Sequence, residues 1–330
     1  MDYTQLGRTG IRASVAGLGC GGRSRLGLDF GRDHAIKVVH RALDLGVTLF
    51  DTAAHYGTEE ALGAALRGKR RDVVLISKAK PPIHPRPIRA LGGARLGGLT
   101  PMISGRKLRR SLEGSLRALQ TDYLDVFLIH RVFPEDYERV RDEAMPVLQR
   151  FQEEGKIRAY GVTESFKDDL DHVALSRVLA DGVAPIIMAG FNILHQTARH
   201  GILDRAGAAG VGVLGMYAVR QALRNLEALR PALAEMSARG EMASNDVGLD
   251  TLLGALDTCA EEIELPDIAY RYARHEPGID IVLTGTGDLA HLERNVASIL
   301  SPPLPDPALV EINRLFGRNR RICGDDGTSH

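Results

Sequence analysis

Asp51 ends an apolar run, "VTLFD", and Tyr56 follows five residues later in "FDTAAHYG". Lys78 closes the next run, "VVLISK", and His130 the one after that, "DVFLIH". Together they supply a carboxylate, a phenol, an ammonium and an imidazole. Those types suit proton transfer to a carbonyl oxygen. A phenol with an ordinary pKa of about 10 is a poor acid–base near neutrality. A neighbouring ammonium favours the phenolate and lowers that value. A buried ammonium needs a counter-charge, which an aspartate supplies, and a histidine can orient the carbonyl or relay a proton. Such a set fits hydride transfer between a carbonyl and a nicotinamide, where the cofactor does the hard chemistry. Each residue also has a plainer role: Asp51 as a helix N-cap, Lys78 snorkelling from a strand, His130 as a satisfied core histidine, Tyr56 as loop packing. Their placement at three successive run ends favours the chemistry.

The elements that must hold these residues are short apolar runs between longer amphipathic stretches. Eight runs occur, at Ser14–Gly19, Val47–Asp51, Val73–Lys78, Asp125–His130, Arg158–Thr163, Pro185–Gly190, Val211–Tyr217 and Ile279–Gly285. They read as strands buried on both faces, the signature of a parallel sheet. Helical periodicity falls between them, at His34–Gly46, Lys107–Leu119, Met145–Lys156 and His291–Leu300. Eight alternations predict an α/β fold, a (β/α)8 TIM barrel, in which strand C-termini surround one mouth where four such groups can converge. "YTQLGRTGIRAS" predicts a β-hairpin before the first barrel strand, turning at Arg8–Gly10. Two long connections, 79–106 and 218–254, leave strand C-termini, where barrel enzymes hold their substrates. The second contains a helical stretch, "ALRNLEALRPALAEM". No domain boundary is visible, so 1–330 reads as one barrel, with a polar, frayed tail over about 316–330.

Composition bounds the reading. The chain has 330 residues, 25% charged and of zero formal net charge, which argues against a nucleic-acid or membrane-surface binder. It shows no transmembrane-length apolar run and no signal-peptide core, so a cytoplasmic protein is expected. Its 3 cysteines are far apart and form no zinc spacing or disulfide framework, so no metal is expected. Cys20 reads as a small core hydrophobe. The sequence does not set the oligomeric state. A Rossmann reading of Gly17-Leu-Gly19-Cys-Gly21-Gly22 fails, because "RSRLGLDFGRD" separates those glycines from the next helix.

"FDTAAHYG", "ISKAK", "TDYLDVFLIH" and "EEGKIRAYGVTES" together resemble the successive signature blocks of the aldo-keto reductases. The likeness runs from "YTQLGRTGIRASVAGLGCGG" to "VLTGTGDLAHLERN". It implies a (β/α)8 barrel binding NADP or NAD, with a small carbonyl or alcohol as substrate. By this resemblance Tyr56 is the general acid–base, Lys78 lowers its pKa, Asp51 pairs with Lys78, and His130 orients the carbonyl. Gly21 and Gly22 let the first loop approach the nicotinamide. Thr284, Gly285, Thr286 and Gly287 form a phosphate-binding turn before a helix, with Asn295 at the family's usual asparagine.

The chain also departs from the family. Gly285 and His291 stand where NADPH-preferring members often have Lys and Arg, and Asp288 lies between them. This leans the reading slightly to NAD, with Arg294 as a compensating cation. Thr163-Glu164 replaces Ser-Asn, so Glu164 is expected to meet the carboxamide. Met188 and Phe191 replace Gln and Tyr, with Phe191 available to cover a ring face. Tyr217 is expected to stack on the nicotinamide and Arg220 to bind the pyrophosphate. His55 is a neighbour facing the substrate. Arg86, Arg89 and Arg95 form a basic loop. The alternative is a non-catalytic barrel that senses NAD(P)H and regulates a protein partner.

Overall fold

The computed structural model describes residues 1–81, 104–241 and 264–324. The basic loop with Arg86, Arg89 and Arg95 lies outside them. An antiparallel hairpin, β1 (Tyr3–Gln5) and β2 (Arg12–Ser14), precedes eight barrel strands. These are β3 (Ala16–Gly19), β4 (Leu49–Asp51), β5 (Val74–Ala79), β6 (Leu124–Val132), β7 (Ile157–Glu164), β8 (Ile186–Gly190), β9 (Gly212–Met216) and β10 (Ile281–Thr284). They pair in parallel in chain order, and β10 pairs with β3 to close the barrel. All eight predicted strands and the hairpin are present.

Two packing layers explain why the runs are apolar on both faces. Leu49, Val74, Ile76, Val126, Leu128, Ile186 and Leu214 fill the bore. Their neighbours Phe50, Leu75, Phe127, Ile129, Ile187 and Val213 pack outward against the helices. Side chains alternate along a strand. Continuing the inward set by two residues therefore brings Asp51, Lys78 and His130 into the bore at its C-terminal mouth.

The hairpin plugs the opposite end. Leu6, Ile11 and Ala13 join the bore cluster, while the N–H of Gly7 donates to Asp280 Oδ2 (3.1 Å) and that of Arg8 to Gly210 O (2.9 Å). Helices cover the outside. Arg32–Asp44 buries the stripe Ala35, Val38, Val39 and Ala42, and Gly46 just past its end has φ +84°, the left-handed conformation that suits glycine. The helix Leu226–Ala238 occupies the second long connection, as its sequence predicts.

The expectation of a frayed tail from about 316 is corrected as far as Gly324. Asn319, Ile322 and Cys323 are buried, and Asn319 Nδ2 donates to Leu194 O and Ile322 O, both at 2.6 Å. Ala222 N–H donates to Gly324 O (3.0 Å). These partners satisfy the backbone of a segment whose composition is polar, which composition alone does not reveal.

The chain passes close by at Gly63, where a Cβ would lie 2.6 Å from the backbone carbonyl of Leu119. Gly63→Ala should destabilise the chain by about 1–3 kcal/mol in urea unfolding, against the gain of up to about 1 kcal/mol that alanine brings to an unconstrained helix.

Candidate active site

Lys78 is buried at the end of β5, and its Nζ lies 2.6 Å from Asp51 Oδ1 and 2.7 Å from Oδ2. It also donates to Thr52 O at 3.0 Å. Asp51 holds a second element through its backbone, since its carbonyl accepts the N–H of Cys20 (2.7 Å). Burial pushes the Asp51 carboxyl up and the Lys78 ammonium opposes it. An ammonium in this position is tolerable only because a carboxylate and a carbonyl meet it.

Tyr56 ends a short turn, Ala54–Tyr56, that leaves β4. A contact between Thr52 Oγ1 and Thr58 Oγ1 (2.9 Å) closes the loop. The Lys78 ammonium lies 5.1 Å from the centre of the Tyr56 ring. Tyr56 Oη is 3.4 Å from His130 Nε2, and the rings meet edge to face at 5.8 Å. Gly21 is shaped by this ring, because a Cβ there would come within 2.6 Å of Tyr56 Cζ. Gly22 has φ +71°. The catalytic types named from sequence thus converge at one point, with His55 against both rings at 4.6 Å and 4.9 Å.

The electrostatics differ from expectation in one respect. Burial pushes the Tyr56 phenol above its ordinary value, Asp51 adds to the rise, and Arg131 pulls the other way. Lys78 does not bring the phenol below 10, because its charge is already answered by Asp51. His130 is pushed down to about 2 by burial and then by Lys78, and His55 to about 4 by burial and then by Lys80. At neutral pH the site therefore holds a protonated phenol beside a neutral imidazole. Cys20 is buried and its thiol pushed up by burial, so it is the inert core residue expected.

A cavity of about 980 Å³ runs from this point along the mouth. Gly21, Gly22, Met188, Tyr217, Arg220, Thr284, Gly285, Thr286, His291 and Asn295, all singled out in the sequence, line it with Asp51, Tyr56 and His130. Gly287 faces an adjoining cavity, against His34. Asn295 Nδ2 and Tyr270 Oη both meet Thr284 Oγ1, at 2.9 and 2.8 Å. Arg23, Ser24, Met216 and Tyr270 also line the groove. No motif distinguishes them in the sequence, since they arrive by packing.

Three expected contacts are corrected. Glu164 does not face the groove, because it belongs to the outward set of β7; one oxygen accepts Gly190 N–H and the other meets His172 Nδ1, both at 2.7 Å. Thr163 is also absent from the lining, and its Oγ1 accepts Arg131 N–H (2.8 Å). Phe191 is buried in the outer layer, stacked on Tyr272 at 5.6 Å and 5°. Among the described residues no cluster of three or more metal-ligating side chains occurs, and no helix is long and apolar enough to cross a membrane.

The model of the aldo/keto reductase family matches residues 17–315. The chain belongs to that family. L-galactose dehydrogenase of Arabidopsis thaliana is 26% identical over 312 residues, 91% of this chain and 88% of that one. An aldo-keto reductase from Bacillus halodurans, solved in its holo form, superposes with a TM-score of 0.70 at 22% identity and covers 98% of this chain and 100% of its own. One from Klebsiella pneumoniae, in complex with NADP and acetate, gives 0.67 at 23% identity, with 97% and 99% covered. As an aldo/keto reductase the chain has an oxidoreductase's barrel, and its mouth is the place to look for chemistry.

Two outcomes follow from the burial of these groups. Asp51→Asn leaves the Lys78 ammonium without its counter-charge and should cost about 3–5 kcal/mol in denaturant unfolding. His130 is neutral when folded but takes up a proton when unfolded below about pH 6.5, so its burial destabilises the fold increasingly as pH falls. At about 1.4 kcal/mol per pH unit, the wild type should lose up to about 2.7 kcal/mol between pH 6.5 and 4.5 that His130→Gln does not lose. Urea titrations of both proteins at the two pH values measure the difference.

Proposed function

We propose that this protein reduces small carbonyl compounds, and oxidises the corresponding alcohols, with NADP(H) bound along the groove. The observation that carries this reading is the meeting of Tyr56 Oη and His130 Nε2, 3.4 Å apart, at the end of the groove that Tyr217, Thr284 and Asn295 line. The donor set fits a dinucleotide. Tyr217 offers an aromatic ring with the Arg220 guanidinium over it, 4.0 Å from the ring centre, and the turn Thr284–Gly287 offers small residues before a helix, where backbone N–H groups receive phosphate.

The bound cofactor supplies the hydride. As hydride reaches the carbonyl carbon, Tyr56 Oη–H gives its proton to the oxygen, so carbonyl plus hydride plus proton yields the alcohol. The raised pKa keeps Tyr56 protonated until then, and a developing alkoxide is a stronger base than the phenolate left behind. Neutral His130 hydrogen-bonds the carbonyl oxygen and aims it at Tyr56. Lys78 and Asp51 form a neutral pair that holds β4 and β5 in register below the phenol, and the charge that favours the phenolate as it forms is that of Arg131.

The lean to NAD is withdrawn in this reading. Asp288 is the N-cap of the helix Leu289–Leu300, accepting His291 N–H at 2.8 Å, so its carboxylate serves the helix end. Arg294 lines the groove beside Asn295 and supplies a cation for a 2′-phosphate. The similar Klebsiella structure was solved with NADP. For the substrate, the likeness to L-galactose dehydrogenase favours a hydroxylated carbonyl such as an aldose.

Cofactor consumption with a panel of aldoses and simple aldehydes should show turnover, with kcat/KM at least tenfold higher for NADPH than NADH. Tyr56→Phe should lower kcat by about 10²–10⁴-fold while leaving cofactor affinity within twofold. Cofactor binding without turnover of any carbonyl or alcohol would overturn the reading and favour the NAD(P)H sensor.

A further inference from the structure

Glu164 stands where the resemblance leads one to expect an amide for the cofactor, yet both its oxygens are already used inside the protein. It is buried, with Oε1 on Gly190 N–H (2.7 Å) and Oε2 on His172 Nδ1 (2.7 Å). His172 is equally buried, and its Nε2 lies 2.9 Å from Thr197 Oγ1. The Thr197 hydroxyl donates to Leu170 O (3.0 Å), so it accepts from His172. Both nitrogens of His172 then donate, which makes it an imidazolium paired with a carboxylate. Burial alone would push His172 down, but Glu164, and beyond it Asp169 and Asp171, hold it above the ordinary histidine value. His195 completes the surroundings, with its ring edge-on to His172 at 6.0 Å and its Nδ1 2.9 Å from Thr197 Oγ1.

A pair fixed on every side is a firm base, and a series of rings rises from it. Phe166 stacks on His172 at 5.9 Å and 24°, and Tyr217 stacks on Phe166 at 5.8 Å and 21°. The edge of His195 meets Phe166 at 5.2 Å and 85°. Phe166 has room only because residue 190 is glycine: a Cβ there would come within 2.6 Å of Phe166 Cδ1. Glu164 holds that same Gly190 through its N–H. The last ring, Tyr217, is partly exposed in the groove beside Met188 and Met216. Its backbone has φ +67°, a left-handed conformation that a tyrosine rarely adopts and that persists only when surrounding contacts enforce it.

We propose that the Glu164–His172 pair is a positioning device for the nicotinamide, acting through Phe166 to set the tilt of Tyr217, the ring that covers it. This rests on the cofactor assignment made above. The pair replaces a direct contact with an indirect one: residue 164 gives up the carboxamide and instead anchors the wall on which the ring lies. A small change of tilt in that wall moves the hydride-bearing carbon relative to the carbonyl, to which transfer is sensitive.

The test separates nicotinamide from the rest of the cofactor. Dissociation constants are measured for NADPH and for 2′-phospho-ADP-ribose, the same molecule without its nicotinamide. Phe166→Leu should weaken NADPH by about three- to tenfold, the range of one aromatic pair, and leave 2′-phospho-ADP-ribose within twofold. Glu164→Gln, which keeps size and an acceptor for Gly190 N–H, should act in the same direction, and Phe166→Tyr should restore near wild-type values. With stereospecifically deuterated NADPH, the two weakened variants should also transfer a measurable fraction from the wrong face. Equal weakening of both ligands, or of neither, overturns the proposal, and if Phe166→Leu does not fold, Glu164→Gln decides. The binding arm needs no turnover. Failure of every substrate in the panel would therefore count against the proposed reaction, whereas a wild type that holds NADPH no better than 2′-phospho-ADP-ribose would count against this inference.

Discussion

The buried ion pair between Lys78 and Asp51 is the constraint on which the mouth of the barrel depends. Neither charge is tolerable alone in a bore filled with Leu, Ile and Val, and together they hold the ends of β4 and β5 at one separation. The loop carrying Tyr56 springs from that fixed point. The phenol therefore comes to rest above the ammonium and beside His130 with little freedom to drift. The phenol is also unusually weak as an acid in the resting site, because burial raises its pKa and the Asp51 charge adds to the rise.

That arrangement favours one form of the chemistry. A phenol that stays protonated is a reservoir for one proton, released only when a stronger base develops next to it. A histidine pushed down to about 2 stays neutral through the working range, so in the proposed reaction it would serve as a hydrogen-bonding guide, and it adds no charge beside that of Lys78. The far end of the groove is built differently. There Thr284, Asn295 and Tyr270 form a hydrogen-bonded cluster, and polar side chains hold a wall in place without titrating.

The parts of this protein legible in its sequence are those in which residue type and period point the same way. Asp51, Lys78 and His130 could be recognised because each ends a run whose apolar character is itself the strand signal. Glu164 was misjudged because β7 is apolar on both faces, and nothing in such a run marks which face is inward; Thr163 lies on the opposite face and was misjudged because its hydroxyl accepts Arg131 N–H. A slip of one residue sends a side chain to the opposite layer. Phe191 failed for a related reason: an aromatic after a strand suits a cofactor face and a helix interface equally well, and Tyr272 decided the matter. The tail misled because Asn319, together with Asn192 and the Ala222 N–H far along the chain, satisfies its backbone groups, which polar composition does not show.

What the sequence determined by itself is the architecture and the chemical types at the mouth. Eight apolar runs between amphipathic helices bury both their faces as a closed barrel, and a barrel gathers its strand ends into one place. What only the tertiary structure decided is the protonation and the second layer of support: a phenol raised rather than lowered, and a carboxylate at 164 turned from the cofactor to a buried histidine. Both depend on distances between groups far apart in the chain. Charge acts through space and burial, and a linear order of residues records neither.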